Sequence, residues 1–218
     1  MVSPADPKPM TKSIIDRLAH ALGRRDEMPN IELAEKISEQ NDKASVLELV
    51  SCLQHKSVAV RNDAIKVLYE IGERKPDLIV GHYSDFMKAL SHKDNRMKWG
   101  AMSALSCLSK THPELLARDL TTIVKAMDEG SVITRDHGMY ILANIGRLKK
   151  HHADCMELML EQLERAPVNQ MPMYAEKTAE IISKPYLSRF EKILSSRDDV
   201  NEIPSKQKRI EKLLKSLS

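Results

Sequence analysis

The chain has 218 residues, of which 42% are hydrophobic and only 4% aromatic. This length and apolar content can supply a packed core, and the scarcity of aromatic residues and of glycine favours helix over sheet. Its formal net charge of +3 is too small to indicate a nucleic-acid-binding protein by itself.

The cysteines and the lack of long apolar stretches predict a soluble, cytoplasmic protein. Cys52, Cys107 and Cys155 are widely spaced on segments with apolar periodicity, so we expect them to be buried and reduced. Residues 1–10 contain three prolines and no apolar run, which predicts a disordered tail rather than a secretory signal. No uninterrupted apolar stretch of about 20 residues, the length of a membrane span, occurs in the sequence.

The first predicted structure in chain order is a capping hairpin over residues 11–42. Two short segments, KSIIDRLAHAL at 12–22 and IELAEKISEQN at 31–41, have helical apolar spacing. The polar segment GRRDEMPN lies between them. Because the end of a helical array needs a polar outer side, we expect this hairpin to cap the array that follows.

A helical phrase then recurs at 37-residue intervals. Its copies are SVAVRNDAIKVLYEIG (57–72), DNRMKWGAMSALSCLS (94–109), SVITRDHGMYILANIG (131–146) and a weaker VNQMPMYAEKTAEIIS (168–183). One column holds small residues and two hold mainly large apolar ones: Ala64, Ala101, Gly138, Ala175; Leu68, Leu105, Leu142, Ala179; Ile71, Leu108, Ile145, Ile182. Since small residues let helices approach and large ones fill space, the pattern predicts stacked repeats.

A second apolar stripe precedes each phrase, so each unit is a predicted helical hairpin. The stripes are Val46, Leu49, Val50, Leu53; Tyr83, Phe86, Met87, Leu90; Leu120, Ile123, Val124, Met127; and Met156, Met159, Leu160, Leu163. The four predicted repeats span 43–78, 79–115, 116–151 and 152–184. A single hairpin cannot bury its own apolar face, so each repeat must stack on its neighbours.

Caps and basic residues recur with the same period. Ser57, Asp94 and Ser131 are predicted N-caps of the second helices, and Pro76 and Pro113 separate one unit from the next. The basic ladder consists of Arg61, Lys98 and Arg135. It could bind phosphate, but its recurrence in one column favours a bond to a neighbouring unit's capping acid or carbonyls.

Three segments follow the repeats. A capping helix is predicted at 185–196, a linker at 197–204 and a basic amphipathic helix at 205–218, with apolar residues on one face and lysines and an arginine around the other. A helix this short is marginal alone in water. We therefore expect it to dock on the last repeat or on a second copy of the chain.

The hairpin with a basic residue near the start of its second helix, a capping Asp or Ser before that helix and an A-x-x-x-L-x-x-I/L core resembles the HEAT repeat, an armadillo-type α-solenoid family. The resemblance covers about residues 43–184, although a first-helix proline is lacking and Ser replaces Asp at positions 57 and 131. It implies an all-α fold, a right-handed α–α superhelix of HEAT-like hairpins, with function in binding on a concave wall lined by the second helices.

Positions opposite the core columns of the second helices are the candidate partner-binding residues. Helical geometry places them away from the apolar face: Asn62, Lys66, Tyr69, Trp99, Ser103, Asp136, Tyr140 and Arg147. Trp, Tyr and Arg dominate the energetics of protein interfaces. Trp99 could instead be a structural residue packed against a neighbouring unit.

Neither a metal site nor a catalytic site is predicted. His151, His152 and Cys155 lie close in sequence, but no CxxC or HxxxH partner set completes a zinc site. No GxSxG, P-loop or HExxH motif is present, so we expect no cofactor and no enzymatic activity. One enzyme family shows a weak resemblance, the HEAT-like alkylpurine DNA glycosylases, through Trp99, Asp136 and Tyr140.

Two functional hypotheses follow. The first is a non-enzymatic scaffold that holds a protein or peptide on the concave face. The alternative is a nucleic-acid-binding protein related to those glycosylases, which would use the same face and the basic tail. The oligomeric state and the identity of the partner stay open at this point.

Overall fold

The computed structural model describes residues 13–217, and all regular structure in that range is helical. The predicted tail at 1–10 and Ser218 lie outside the described residues. The α-helices are α1 (Met28–Gln40), α2 (Lys43–Cys52), α3 (Val58–Arg74), α4 (Tyr83–Ala89), α5 (Asn95–Ser109), α6 (Pro113–Ala117), α7 (Leu120–Glu129), α8 (Val132–Gly146), α9 (His152–Glu164), α10 (Met171–Ala179), α11 (Lys184–Ser195), α12 (Asp198–Asn201) and α13 (Pro204–Lys215). Short 3₁₀ helices cover Ile14–Arg17, Pro76–Leu78 and Val80–His82.

The chain divides into two compact units, the first ending at His82 and the second starting at Tyr83. In the first unit, α1 and α2 both pack on α3. In the second unit, α5 packs on α8, and α8 packs on α9 and α10. The second helices α3, α5 and α8 begin at Val58, Asn95 and Val132, which are 37 residues apart.

The core columns are buried in the first three repeats, whereas the fourth deviates. Ala175 is buried as predicted, but Thr178 and Ile181 are buried where we expected Ala179 and Ile182. The helix α10 ends at Ala179, so the following turn rather than helical spacing positions Ile181. The Cδ1 atom of Ile181 packs where a Cβ on Gly146 would lie.

The prediction that the N-terminal hairpin begins with an α-helix is wrong. Only Ile14–Arg17 is helical, as a single 3₁₀ turn. The amides of Ala19 and His20 instead donate to side chains, at 2.9 Å to Asn30 Oδ1 and at 2.8 Å to Asp63 Oδ2. These distant acceptors replace the local carbonyls that a helix would use, so residues 18–22 follow an irregular path.

The caps of the second helices are confirmed in two of three cases. Asp94 accepts from the Arg96 amide at 2.9 Å, and Ser131 accepts from the Thr134 amide. Ser57 makes no side-chain capping bond. The prolines Pro76 and Pro113 each begin a short helix, as expected.

The predicted linker at 197–204 contains a helical turn and is anchored. Val200 in α12 is fully buried, and Arg197 donates to the carbonyl oxygens of Glu164 and Ala166 at 3.3 and 2.8 Å. Helix α13 follows and packs on α10, with Ile210 only 3% exposed. Of the two predicted docking sites of the terminal helix, the last repeat and a second copy of the chain, the structure shows the first.

Candidate binding face on the second helices

Seven of the eight candidate residues lie on the second helices α3, α5 and α8, and Arg147 directly follows α8. Asn62, Lys66 and Tyr69 are on α3 in the first unit. The other five belong to the second unit, where α5 and α8 pack directly on each other: Trp99, Ser103, Asp136, Tyr140 and Arg147.

In the first unit, the prediction that Lys66 faces water is wrong. Its side chain is 8% exposed, and its Nζ atom lies 3.0 Å from Glu27 Oε2 and 2.8 Å from Glu70 Oε1. Burial disfavours the charged amine, but hydrogen bonds with Glu70, Tyr69 and Glu27 outweigh it and raise the pKa of Lys66. Helix α1 covers this side of α3, a neighbour that helical angles along α3 alone cannot reveal.

The other two residues on α3 are half-buried. The Lys66 amine lies over the Tyr69 ring, 4.8 Å from its centre, in the geometry of a cation–π contact. The Oδ1 atom of Asn62 is buried, and no hydrogen-bond donor among the described residues reaches it.

In the second unit, Ser103 is also buried rather than exposed, so that prediction is wrong as well. It is 4% exposed, and its Oγ donates to the Trp99 carbonyl at 2.8 Å. Every residue of α5 from Gly100 to Ser109 is buried. Outward-facing positions therefore exist only in the first turns of this helix.

Trp99 lies in that first part of α5 and is half-buried. The guanidinium of Arg96, one turn earlier, is stacked on its indole with Cζ 4.3 Å from the ring centre. This contact fixes one face of the only tryptophan in the chain and places an arginine beside it.

Asp136 on α8 is held by a buried tyrosine of α10. Tyr174 is 1% exposed, and its hydroxyl donates to Asp136 Oδ1 at 3.0 Å. Burial raises the pKa of Asp136, which the hydrogen bond from Tyr174 partly opposes. Burial likewise raises the pKa of Tyr174, reinforced by the Asp136 charge.

Two further contacts join α8 to α10. Lys177 lies over the Tyr140 ring, with Nζ 4.4 Å from its centre. Glu180 accepts from Arg147 at 2.7 Å and also pairs with Lys177. Sequence reasoning missed Lys177 and Glu180, although a further 37-residue step from Tyr140 reaches Lys177 and would have identified it.

The basic ladder has a structural role at its first position. Arg61 donates to the carbonyls of His55 and Lys56 at 2.7 and 3.1 Å. The predicted bond to carbonyls is thus present, but it lies within the residue's own hairpin loop rather than in a neighbouring unit. His55 also accepts from the Ser57 amide, and His92 accepts from the Asp94 amide in the next loop.

The histidine and cysteine segment at 151–155 is part of the packing. His152 bridges the Gly146 carbonyl and Ser183 Oγ at 2.9 and 3.0 Å, while Cys155 is buried and burial raises its thiol pKa to about 12. Within residues 13–217, no three His, Cys, Asp or Glu side chains are grouped to hold a metal ion. The same residues include no helix with both the length and the apolar composition needed to cross a membrane.

Comparison with known proteins reveals similarity in structure alone. No protein-family model matches the chain, and no curated protein matches its sequence. A designed armadillo repeat protein in complex with the peptide (KR)4 aligns with a TM-score of 0.66 at 18% identity, over 94% of this chain and 98% of that one.

Two other designed proteins give similar alignments. A second designed armadillo repeat protein has a TM-score of 0.63 at 17% identity, over 94% of this chain and 98% of that one. A computationally designed armadillo repeat protein for modular peptide recognition has a TM-score of 0.62 at 16% identity, over 91% and 97%. These alignments and the helical hairpins described above establish that the chain has the helical-repeat fold of armadillo- and HEAT-type solenoids.

Proposed function

We propose that the chain is a non-enzymatic, cytoplasmic scaffold that binds a protein or peptide partner along the second helices of its second unit. The binding face comprises Trp99 and Arg96 on α5, Asp136 and Tyr140 on α8, and Arg147 directly after α8. The observation that carries the proposal is the half-exposed Trp99 with Arg96 stacked on it. Trp, Tyr and Arg are the residues most often found as interface hot spots.

Contacts to α10 support the proposal because they hold this face in one arrangement before a partner binds. Tyr174 orients Asp136, Lys177 covers one side of Tyr140, and Glu180 holds Arg147. Side chains fixed in advance lose less conformational entropy on binding. The similar designed proteins, one with a bound peptide and one intended for peptide recognition, favour a peptide as the partner.

The test starts from a random peptide library displayed on phage and selected against the full chain. Isothermal titration calorimetry measures the affinity of a selected peptide for every variant, including those that lack Trp99, the only tryptophan. Trp99→Ala should weaken binding by about 2 kcal/mol or more with helicity and melting temperature retained, and Trp99→Phe should recover part of the loss. The matched control is Tyr186→Ala, a half-buried aromatic on α11, which should leave the affinity unchanged.

A parallel titration with duplex and single-stranded oligonucleotides tests the alternative hypothesis, which is nucleic-acid binding. Nucleic-acid binding weakens steeply between about 50 and about 200 mM salt, in proportion to the phosphates neutralised. Oligonucleotide binding with that salt dependence and loss in Trp99→Ala would replace the peptide hypothesis. Selection of no peptide, or equal affinity of the wild type and Trp99→Ala, would also overturn it.

A further inference from the structure

Helix α13 presents a strip of lysines to solvent. Lys208, Lys212 and Lys215 are exposed, and at about 100° per residue they fall within about 60° of one another around the helix. The apolar side of α13 is used by the fold, since Ile210 is 3% exposed and the helix packs on α10. Among the described residues, none of the three lysines is in a salt bridge.

Helix α1 presents a matching strip of carboxylates. Glu32, Glu35 and Glu39 are exposed, and they also fall within about 60° of one another. Within the described part of the chain these three glutamates form no salt bridge either. Each strip has one exposed neighbour of opposite sign, Lys36 on α1 and Glu211 on α13.

The two strips fit each other in one register. If the helices lie side by side in the same chain direction with Glu32 level with Lys208, Glu39 is level with Lys215. Glu35 is then one residue, about 1.5 Å, out of level with Lys212.

The two neighbours of opposite sign, Lys36 and Glu211, also fit this register. Lys36 is one residue out of level with Glu211, and both lie on the same side of the contact line. Every charge on one face therefore meets an opposite charge on the other.

We propose that α13 of one copy binds α1 of a second copy through these four charge pairs. Because α1 and α13 are different surfaces, each copy carries both halves of the contact and can bind further copies through them. Exposed ion pairs are individually weak and screened by salt, so the association requires high protein concentration and low ionic strength. It involves neither α5 nor α8 and is independent of the partner-binding face.

Nucleic acid and membrane agree less well with the structure as partners of the lysine strip on α13. Single-stranded nucleic acids are held by aromatic side chains on which bases stack, and α13 has none. Interfacial membrane helices insert their apolar face into the lipid, whereas that face of α13 packs on α10.

Sedimentation velocity of the full chain tests the proposal. At about 10 mM salt, where the Debye length is about 30 Å, the average mass should rise with protein concentration. At about 1 M salt, where it is about 3 Å, the chain should be monomeric. The triple variants K208E/K212E/K215E and E32K/E35K/E39K should each weaken association at least about tenfold, because attractive pairs become repulsive.

Combining all six changes in one chain restores opposite charges, so association should return. Lys93→Glu, Lys149→Glu and Lys184→Glu together form the matched control, since these exposed lysines lie elsewhere and the net charge changes from +3 to −3 as in the α13 variant. Circular dichroism confirms that each variant is folded. The proposal would be overturned if the chain were monomeric at every concentration in low salt, or if charge reversal left association unchanged. It would also be overturned if the folded variant with all six substitutions stayed monomeric.

Discussion

At the scale of single residues, the column of small residues in the repeats shows how the size of one side chain restricts the residue that can pack against it. Gly138 stands where the other repeats have Ala64, Ala101 and Ala175. A Cβ atom on Gly138 would lie 2.3 Å from Cγ and 2.4 Å from Sδ of Met127. The positions equivalent to Met127 in the first two repeats hold Leu53 and Leu90, so a longer first-helix side chain accompanies a smaller second-helix residue.

This exchange of size predicts a non-additive pair of mutations. Gly138→Ala should destabilise the chain by about 1–3 kcal/mol, the usual cost of overpacking a core. Adding Met127→Leu recreates the Leu–Ala pair of the other repeats and should recover most of that loss. Urea unfolding of the wild type, both single variants and the double variant gives the coupling. If the double variant loses the sum of the single losses, the explanation is wrong.

At the scale of the element, α13 is attached to α10 by an ion pair and a buried isoleucine. Arg209 donates through two nitrogens to both carboxylate oxygens of Glu176, and Ile210 supplies the buried apolar side chain. The hydrogen bonds from Arg209 lower the pKa of Glu176. A lowered folded-state pKa stabilises the contact above the ordinary pKa of about 4.3, and the stabilisation is lost as pH falls through the folded value.

Glu176→Gln should therefore loosen the attachment of α13 without unfolding the rest of the second unit. Hydrogen exchange followed by mass spectrometry at pH 7 should show faster exchange in 204–215 and unchanged exchange in α8. Wild-type α13 should approach the behaviour of the variant as the pH drops below about 4. Glu161→Gln, an exposed glutamate on α9, is the control; equal protection of α13 in all three proteins would contradict the prediction.

The elements also indicate which parts of the fold can be predicted from sequence. Helices α3, α5 and α8 can be predicted from local apolar periodicity and from the recurring column of small residues. The segment 12–22 has similar periodicity, but the amides of Ala19 and His20 donate to Asn30 and Asp63, up to 43 residues away. The exposure predicted for Lys66 and Ser103 is wrong for a similar reason, because neighbouring helices, which the periodicity of one segment cannot reveal, bury both residues.

At the scale of the whole molecule, the three cysteines are distributed over both compact units. Cys52 lies in the first unit, and Cys107 and Cys155 lie in the second. All three are buried, and none of them forms a disulfide. Each thiol can therefore report the opening of the unit that contains it.

Alkylation with iodoacetamide along a urea series should label Cys52 first and Cys107 and Cys155 together at higher urea. The first unit is the smaller, and smaller units bury a lower fraction of their surface; repeat arrays also unfold through nearest-neighbour interactions. Mass spectrometry of the peptides identifies each site. Labelling of all three at one midpoint would mean that the chain unfolds as one cooperative body, and labelling without urea would contradict the burial.

The pairing of Met127 with Gly138 has a consequence for how such a chain can be recombined. Both residues belong to one hairpin, on α7 and α8. A crossover between hairpins transplants the matched pair intact. A crossover inside a hairpin would unite methionine with alanine, which collide, or leucine with glycine, which leaves a hole. Viable chimeras of this protein should therefore have their junctions in the segments that connect hairpins, such as the one that contains Pro113.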